Sequence, residues 1–327
     1  MQLTRTFVRR NRQLRRRRRA AVTAFAVVIA ILVVVAVSAA RARDHKPQAP
    51  SGTGSSSAAH ARTKSSATRP PDTGGSSTAG RGVATSKNAG QRLAAALAPV
   101  LAHRTGDLSV GVIDQTTGEW AVYNHTASFH TASIVKADIL ATLLLRHQAE
   151  GAPLTQYEQA LAAQMIEASD NDAAQDLWND DDEADGIADA DAQLGLSHTT
   201  PAQGGYWGLT TTTVVDQLRL LSDLVSESSP LNAASRSFEL GLMRHVEPSQ
   251  AWGVTKAATP GTVYAVKNGW LPDPQLWVIN SIGVVHHAGH LLLLAVLSDD
   301  QPSEAVGVAQ VEAAAVVAAQ AVTAVRP

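Results

Sequence analysis

Nine arginines lie between Arg5 and Arg19 with no acidic residue among them, and directly behind them runs Ala20–Ala40, 21 residues dominated by Ala, Val and Ile. As a helix this run would reach about 31 Å at 1.5 Å per residue. That matches the hydrocarbon core of a bilayer. The arginine block before the run, against the more dilute Arg41 and Arg43 after it, predicts residues 1–19 in the cytoplasm and everything beyond Ala40 outside. A cleavable signal peptide is the other reading, since Val37-Ser38-Ala39 and Ala40-Arg41-Ala42 offer small residues to a peptidase. The run exceeds the roughly 7–15 residues of a signal core, which favours a retained single-pass anchor at 20–40. Either way the rest of the chain is exported, to the cell membrane's outer face or, after cleavage, to the medium. The span already accounts for the arginines, so no nucleic-acid partner is inferred from them.

The formal net charge of −2 over 327 residues hides a division. Residues 1–88 hold 17 Lys and Arg against 2 acids, whereas residues 89–327 hold 10 against 27. The two parts have different jobs. From Asp44 to Asn88, 25 of 45 residues are Ser, Thr, Gly or Pro, with almost nothing that could pack. Such a stretch cannot offset the entropy of ordering, so 41–88 is expected to be a disordered linker. Its typical end-to-end span would be about 37 Å, enough to hold a domain clear of the lipid headgroups. The absence of cysteine excludes disulfides, thiolate metal sites, a cysteine nucleophile and a lipidated cysteine anchor.

Residues 89–327 suffice for one sizeable core or two interlocked lobes. Leu93, Leu97, Val100 and Leu101 give Gln91–His103 the spacing of a helix, and Leu108–Asp114 with Glu119–Asn124 reads as a hairpin turned at Thr116-Thr117-Gly118. A long helix is expected from near Ser133, followed by a mainly helical region from Thr155 to about Glu239. Strand signals return at Thr262–Trp270, Trp277–Val285 and Leu291–Ser298, before an Ala/Val-rich helix over Ser303–Val325. The pattern predicts an α/β (α+β) fold: an antiparallel sheet lobe flanked by N- and C-terminal helices, with an inserted all-helical lobe.

Three short motifs carry the chemistry. In Ser133-Ile134-Val135-Lys136, a serine opening the helix would have the lysine one turn on, on the same face, beside the positive N-terminus. That suits a serine nucleophile. Ser169-Asp170-Asn171 reads on its own as a helix cap, for which these residue types are favoured. Lys267-Asn268-Gly269-Trp270 ends an apolar strand, where glycine lets a substrate approach the backbone. Each is weak alone.

In this order, on helix start, lobe loop and strand, the motifs resemble those of the class A β-lactamase and penicillin-binding D,D-peptidase superfamily. The resemblance covers residues 89–327 and includes the threonine-rich run Thr210–Thr213. It implies a β-lactamase-like fold in which Ser133 is the acylated nucleophile and Lys136 its hydrogen-bonded base. Ser169 would pass a proton to the leaving nitrogen. Asn171 would contact the substrate amide, with Asn268, Gly269 and Trp270 also lining the substrate. Lys267 would set the electrostatics around Ser169 and the substrate carboxylate, while the N–H groups of Ser133 and Trp270 form an oxyanion hole. A lysine can act as base only if burial and a neighbouring positive charge lower its pKa. The implied activity is that of a membrane-anchored extracytoplasmic serine hydrolase, acting through an acyl-serine on β-lactams or cell-wall peptides, as a monomer and without a cofactor or metal. The alternative is a catalytically weak sensor or scaffold that binds peptidoglycan stems or β-lactams.

The sequence departs from that pattern in three places. The stretch Thr199–Leu209 contains no carboxylate where the family has a water-activating glutamate, so release of the acyl group is expected to be slow, by a factor of roughly 10²–10⁴. Asp172 or Glu239 could substitute for it. Asn268 replaces the usual threonine, and the bulky Trp270 is expected to narrow the cleft. The third departure is the short distance from Ser133 to Ser169, 36 positions, which suggests a trimmed wall and a more open site.

Two further clusters invite metal readings. Asp181, Glu183, Asp185 and Gly186 resemble part of a calcium loop, but Ala192 stands where the bidentate glutamate belongs, so a solvated acidic loop is expected. His286, His287 and His290 sit at a strand turn with no carboxylate or cysteine in sequence to complete a set, and read as a surface hairpin. A Ser-His-Asp triad using one of them is unnecessary if the lysines serve Ser133.

Overall fold

The computed structural model describes residues 80–273 and 276–324. The basic segment 1–19, the apolar run 20–40 and residues 41–79 of the expected linker lie outside the described residues. Helix α1 spans Gly80–Ala102 and so begins inside the stretch 41–88 expected to be linker, ahead of Gln91. Extending an existing helix adds a hydrogen bond for each residue fixed, so the weak helix formers before Gln91 can join a helix anchored by Leu93 and Leu97.

Strands β1 (Leu108–Asp114) and β2 (Trp120–Tyr123) form the expected hairpin. After β3 (Ser128–His130) and a short 3₁₀ turn, Ala132–Ile134, comes helix α2 (Val135–Glu150). Gly151, at φ 65°, closes that helix. The helical lobe continues with α3 (Gln156–Glu167), α4 (Asn171–Asp180) and α5 (Glu183–Leu194). Then β4 (Thr211–Thr213) leads into α6 (Val214–Val225) and α7 (Ala233–Arg244). The chain finishes with β5 (Tyr264–Asp273), β6 (Leu276–His287), β7 (His290–Gln301) and α8 (Glu304–Thr323).

Five strands make one antiparallel sheet in the order β2-β1-β7-β6-β5, and β3 pairs with β4 separately. The sheet is buried on both faces, which the period of two along β7 makes plain. Leu292, Leu294 and Val296 enter a core shared with α1 and α8, while Leu293, Ala295 and Leu297 enter the core of the helical lobe. Helix α8 is apolar enough by composition to cross a membrane, yet Val311, Ala314, Ala315, Ala318 and Val322 are buried against the sheet. It is a core helix. Gly111 of β1 marks where α6 approaches most closely, since a Cβ there would stand 2.6 Å from Leu218 Cδ1. Strand β5 is an edge, and the helical lobe meets the sheet beside it.

Candidate active site

The three motifs converge. Ser133 lies in the 3₁₀ turn that opens α2, preceded by Ala132 in the left-handed region at φ 48°. Gly269 of β5 backs directly onto this turn. A Cβ there would stand 2.7 Å from Ser133 N and Thr131 O and 2.8 Å from Ile134 N, all backbone atoms that cannot swing aside. Only glycine permits this approach. Asn280, opposite Gly269 on β6, holds the same turn from beneath. Its amide donates to His130 O at 2.8 Å and Thr131 O at 3.0 Å. Sequence reasoning missed this residue, although an asparagine in the apolar strand Trp277–Val285 was the available signal.

Lys136 and Lys267, both buried, point at one hydroxyl. Ser169 Oγ lies 3.1 Å from Lys136 Nζ and 3.0 Å from Lys267 Nζ. Lys136 also donates to Ser169 O at 2.6 Å and Asn171 Oδ1 at 2.7 Å. Ser169 itself is left-handed, at φ 56°. The expectation that Lys136 is hydrogen-bonded to Ser133 needs correction: among the described residues, its donated bonds go to Ser169 and Asn171. A carbonyl and an amide oxygen are stronger acceptors than a hydroxyl, and a flexible lysine stem turns to them.

Within Ser169-Asp170-Asn171 the two readings fall on different residues. Asp170 caps α4, accepting from Ala173 N at 2.7 Å, while Ser169 and Asn171 face Lys136. Asn171 is exposed and Ser133 half-buried, so the cluster opens to solvent on the Ser133 side.

Burial drives the Lys136 amine down to about 7, against the opposing pull of Asp170. Lys267 lies well below the ordinary lysine range, first through burial and then through the like charge of Lys136. The repulsion acts on both members, and two ammonium groups cannot share one hydroxyl without cost, so one amine is neutral near pH 7. The direction for both lysines is down.

Asn268 and Trp270 face away from the cluster, because neighbouring residues on a strand point to opposite faces. Asn268 is buried and its amide donates to Gln250 O at 2.7 Å and Trp252 O at 3.1 Å. Its side chain is therefore engaged with that segment, not free in the cleft. The Trp270 ring packs edge-on to Trp252, with centroids 6.0 Å apart, so it does not narrow the cleft as expected.

The stretch Thr199–Leu209 is tied down at its start by Asp216, whose Oδ2 accepts from His198 N at 2.7 Å and from Thr199 Oγ1 at 2.9 Å. At its end, the 3₁₀ turn Trp207–Leu209 brings the Trp207 ring over Lys136, with Nζ 5.0 Å from the centroid. An aromatic face thus meets the lysine from the stretch that carries no carboxylate. Of the two suggested replacements, Asp172 is exposed on α4, and Glu239 is sealed on α7 beside Asp138.

Neither metal reading gathers a site; among the described residues no group of three metal-binding side chains occurs. Asp181 is buried against Arg146 Nη2 at 3.4 Å, not solvated as expected, and Glu183, Asp185 and Gly186 belong to α5. The histidines do form a hairpin, with His287 opposite His290. His290 meets a carboxylate that the sequence did not put beside it, Asp114, at 2.8 Å, while His287 Nδ1 lies 2.6 Å from Ala257 O.

The described domain has a β-lactamase-like fold, and a family model described as "Beta-lactamase enzyme family" matches residues 92–157, which include Ser133 and Lys136. A class A β-lactamase from Bacteroides cellulosilyticus superposes with a TM-score of 0.63 at 16% identity, covering 73% of this chain and 99% of that one. An acyl-enzyme complex of a PBP-A mutant with penicillin G superposes with a TM-score of 0.62 at 18% identity, over 72% of this chain and 97% of that one. In sequence, a Mycobacterium tuberculosis protein named "Putative lipoprotein LppW" is 27% identical over 184 residues, 54% of this chain. The aligned part spans 59% of that relative's length.

Proposed function

We propose that the protein is a membrane-anchored extracytoplasmic serine hydrolase that acylates Ser133 with β-lactams or cell-wall peptides and releases the acyl group slowly. The observation that carries this reading is the single hydroxyl of Ser169 held between two buried lysines, beside a half-buried serine at a helix start. Neutral Lys136 can take the Ser133 proton once its amine turns from Ser169 and Asn171 towards Ser133. Ser169, hydrogen-bonded to both amines, can then hand a proton to the leaving nitrogen. The tetrahedral intermediate would be stabilised by the N–H of Ser133 and that of Trp270, whose side chain is immaterial to this role. The penicillin acyl-enzyme of the structurally similar PBP-A mutant supports the substrate class.

Slow release follows from the chemistry of Thr199–Leu209, which brings Lys136 an aromatic ring and no general base. The same feature favours the alternative, a binder that senses β-lactams or peptidoglycan stems without turning them over. The anchor rests on the apolar run 20–40 behind its arginines, and the name of the mycobacterial lipoprotein is consistent with an envelope location.

A fluorescent penicillin offered to the full chain and to Ser133→Ala tests the reading. Labelling of the first alone is expected, with the adduct persisting in intact-mass spectra. Equal labelling of both, or of neither, would sink it, and rapid loss of the adduct would refute slow release.

A further inference from the structure

Lys136 is fully buried although Ser133 and Ser169 beside it are half-buried and Asn171 is exposed. Something covers the lysine on a side where the site opens to water. The Trp207 ring lies over Nζ, 5.0 Å from its centroid, and its turn is seated on the nucleophile turn. There Thr131 N donates to Thr210 O at 2.8 Å, and a Cβ on Gly208 would stand 3.8 Å from Ala132 Cα. We infer that Trp207 is a positioning residue: by excluding water from Lys136 it keeps the amine in the form that accepts the Ser133 proton. This rests on the reading of Lys136 as the base.

The ring acts on the amine in two opposed ways. Its π face attracts an ammonium, which favours the charged form. It also displaces water, which disfavours that form. Cation–π attraction is weak next to the hydration of an ammonium, so covering wins. The fall of Lys136 to about 7, with burial as its leading cause, agrees in direction. The charged groups that face Lys136 are Asp170 at the start of α4 and Lys267 on β5, while the turn Trp207–Leu209 brings no charge. Asp138, on Lys136's own helix, points to the other side. Replacing Trp207 therefore changes the cover without removing a charge.

The full chain contains six lysines, few enough to follow one by one after ¹³C labelling of their Cε atoms, with Lys136 assigned by its loss in Lys136→Met. The Lys136 midpoint should rise by about one to two pH units in Trp207→Ala. In Trp207→Leu, which keeps an apolar cover without a π face, it should stay or fall. The pH profile of penicillin acylation should move with the midpoint. An unchanged or lowered midpoint in Trp207→Ala would overturn the inference, as would a raised midpoint in Trp207→Leu, which also serves if the alanine variant does not fold. The titration needs no substrate, so a shifted midpoint in a protein that no penicillin labels would sink the hydrolase reading and leave the role of Trp207 standing.

Discussion

Helix α2 carries buried charge on two opposite sides, and only one of them is a candidate for chemistry. Lys136 meets Lys267 on one side; Asp138, two residues on and about 200° around the helix, meets Asp191 of α5 on the other. Asp216 of α6 adds negative potential to the second cluster, and Glu239 of α7 lies beside it. Each cluster packs like charges where water cannot screen them. The carboxyls nevertheless escape the cost by protonation: bare, Asp138 and Asp191 would have no hydrogen-bond donor within reach, whereas a shared proton makes their contact a hydrogen bond. Burial, and behind it the neighbouring acids, holds Asp138 well above the ordinary range; burial holds Asp191 at about 7, against the lowering effect of its hydrogen bond with Asp138. What separates the lysine pair is access. It borders the half-buried Ser133 and the exposed Asn171, while Asp138, Asp191 and Glu239 are at most 4% exposed. A perturbed pKa marks a site only when a substrate can reach it.

The largest effect should come from breaking the lysine side. Lys136→Met is expected to cut acylation of Ser133 by about 10²–10⁴, the usual contribution of a positioned proton acceptor. Its thermal midpoint should not fall, because an apolar side chain of similar length relieves the burial of an amine. Asp138→Asn should do the reverse, leaving the acylation rate within about twofold while changing how stability depends on pH. If the two variants lose acylation equally, the division of the helix into a working side and a sealed side is wrong.

Stability against pH sharpens the contrast, because the clusters pull in opposite directions. Asp191 binds its proton in the folded protein up to about 7 and loses it near 3.8 when unfolded, so stability falls as pH rises between those values. Lys136 is neutral above about 7 when folded and charged up to 10.5 when unfolded, so stability rises with pH across that window. Each group contributes a slope of about 1.4 kcal/mol per pH unit within its window. Denaturant titrations should therefore show a trough near neutrality, to which Asp181, raised to about 8 mainly by burial, adds on the acid side. Asp191→Asn should flatten the acid limb and Lys136→Met the alkaline one. A profile without a trough, or one unchanged by both substitutions, would show that these groups do not titrate as described.

The lysine side was legible in the sequence and the carboxyl side was not, for a physical reason. Ser133 and Lys136 sit one turn apart, and Lys267 and Gly269 alternate on one strand, so local periodicity already places them on shared faces. The last three strands and the Ala/Val-rich closing helix were also legible in the sequence, with ends displaced by a few residues. Asp138, Asp191 and Glu239 each read as an ordinary polar position, and only the packing of α2 against α5 and α7 brings them together. Trp207 was hidden differently. The lack of a carboxylate in Thr199–Leu209 was visible, but what fills the space depends on how the loop folds back over Ala132. Asn268 and Trp270 were placed in the cleft by resemblance, although strand alternation, applied strictly, puts them opposite Lys267 and Gly269.

The smallest effect tests whether the carboxyl cluster is neutral at its far end. Glu239 is fully buried, its oxygens have no donor partner among the described residues, and burial raises it well above the ordinary range. A protonated glutamic acid and a glutamine have nearly the same shape, and neither carries charge. Glu239→Gln should therefore change stability at pH 7 by less than about 0.5 kcal/mol, the range of innocuous substitutions, and leave acylation untouched. A buried carboxylate held by an unseen cation would behave differently, since its loss would strand that partner and cost several kcal/mol. Urea denaturation of the two proteins at pH 7 separates the cases, and a large loss would mean that the sealed side of α2 is charged after all.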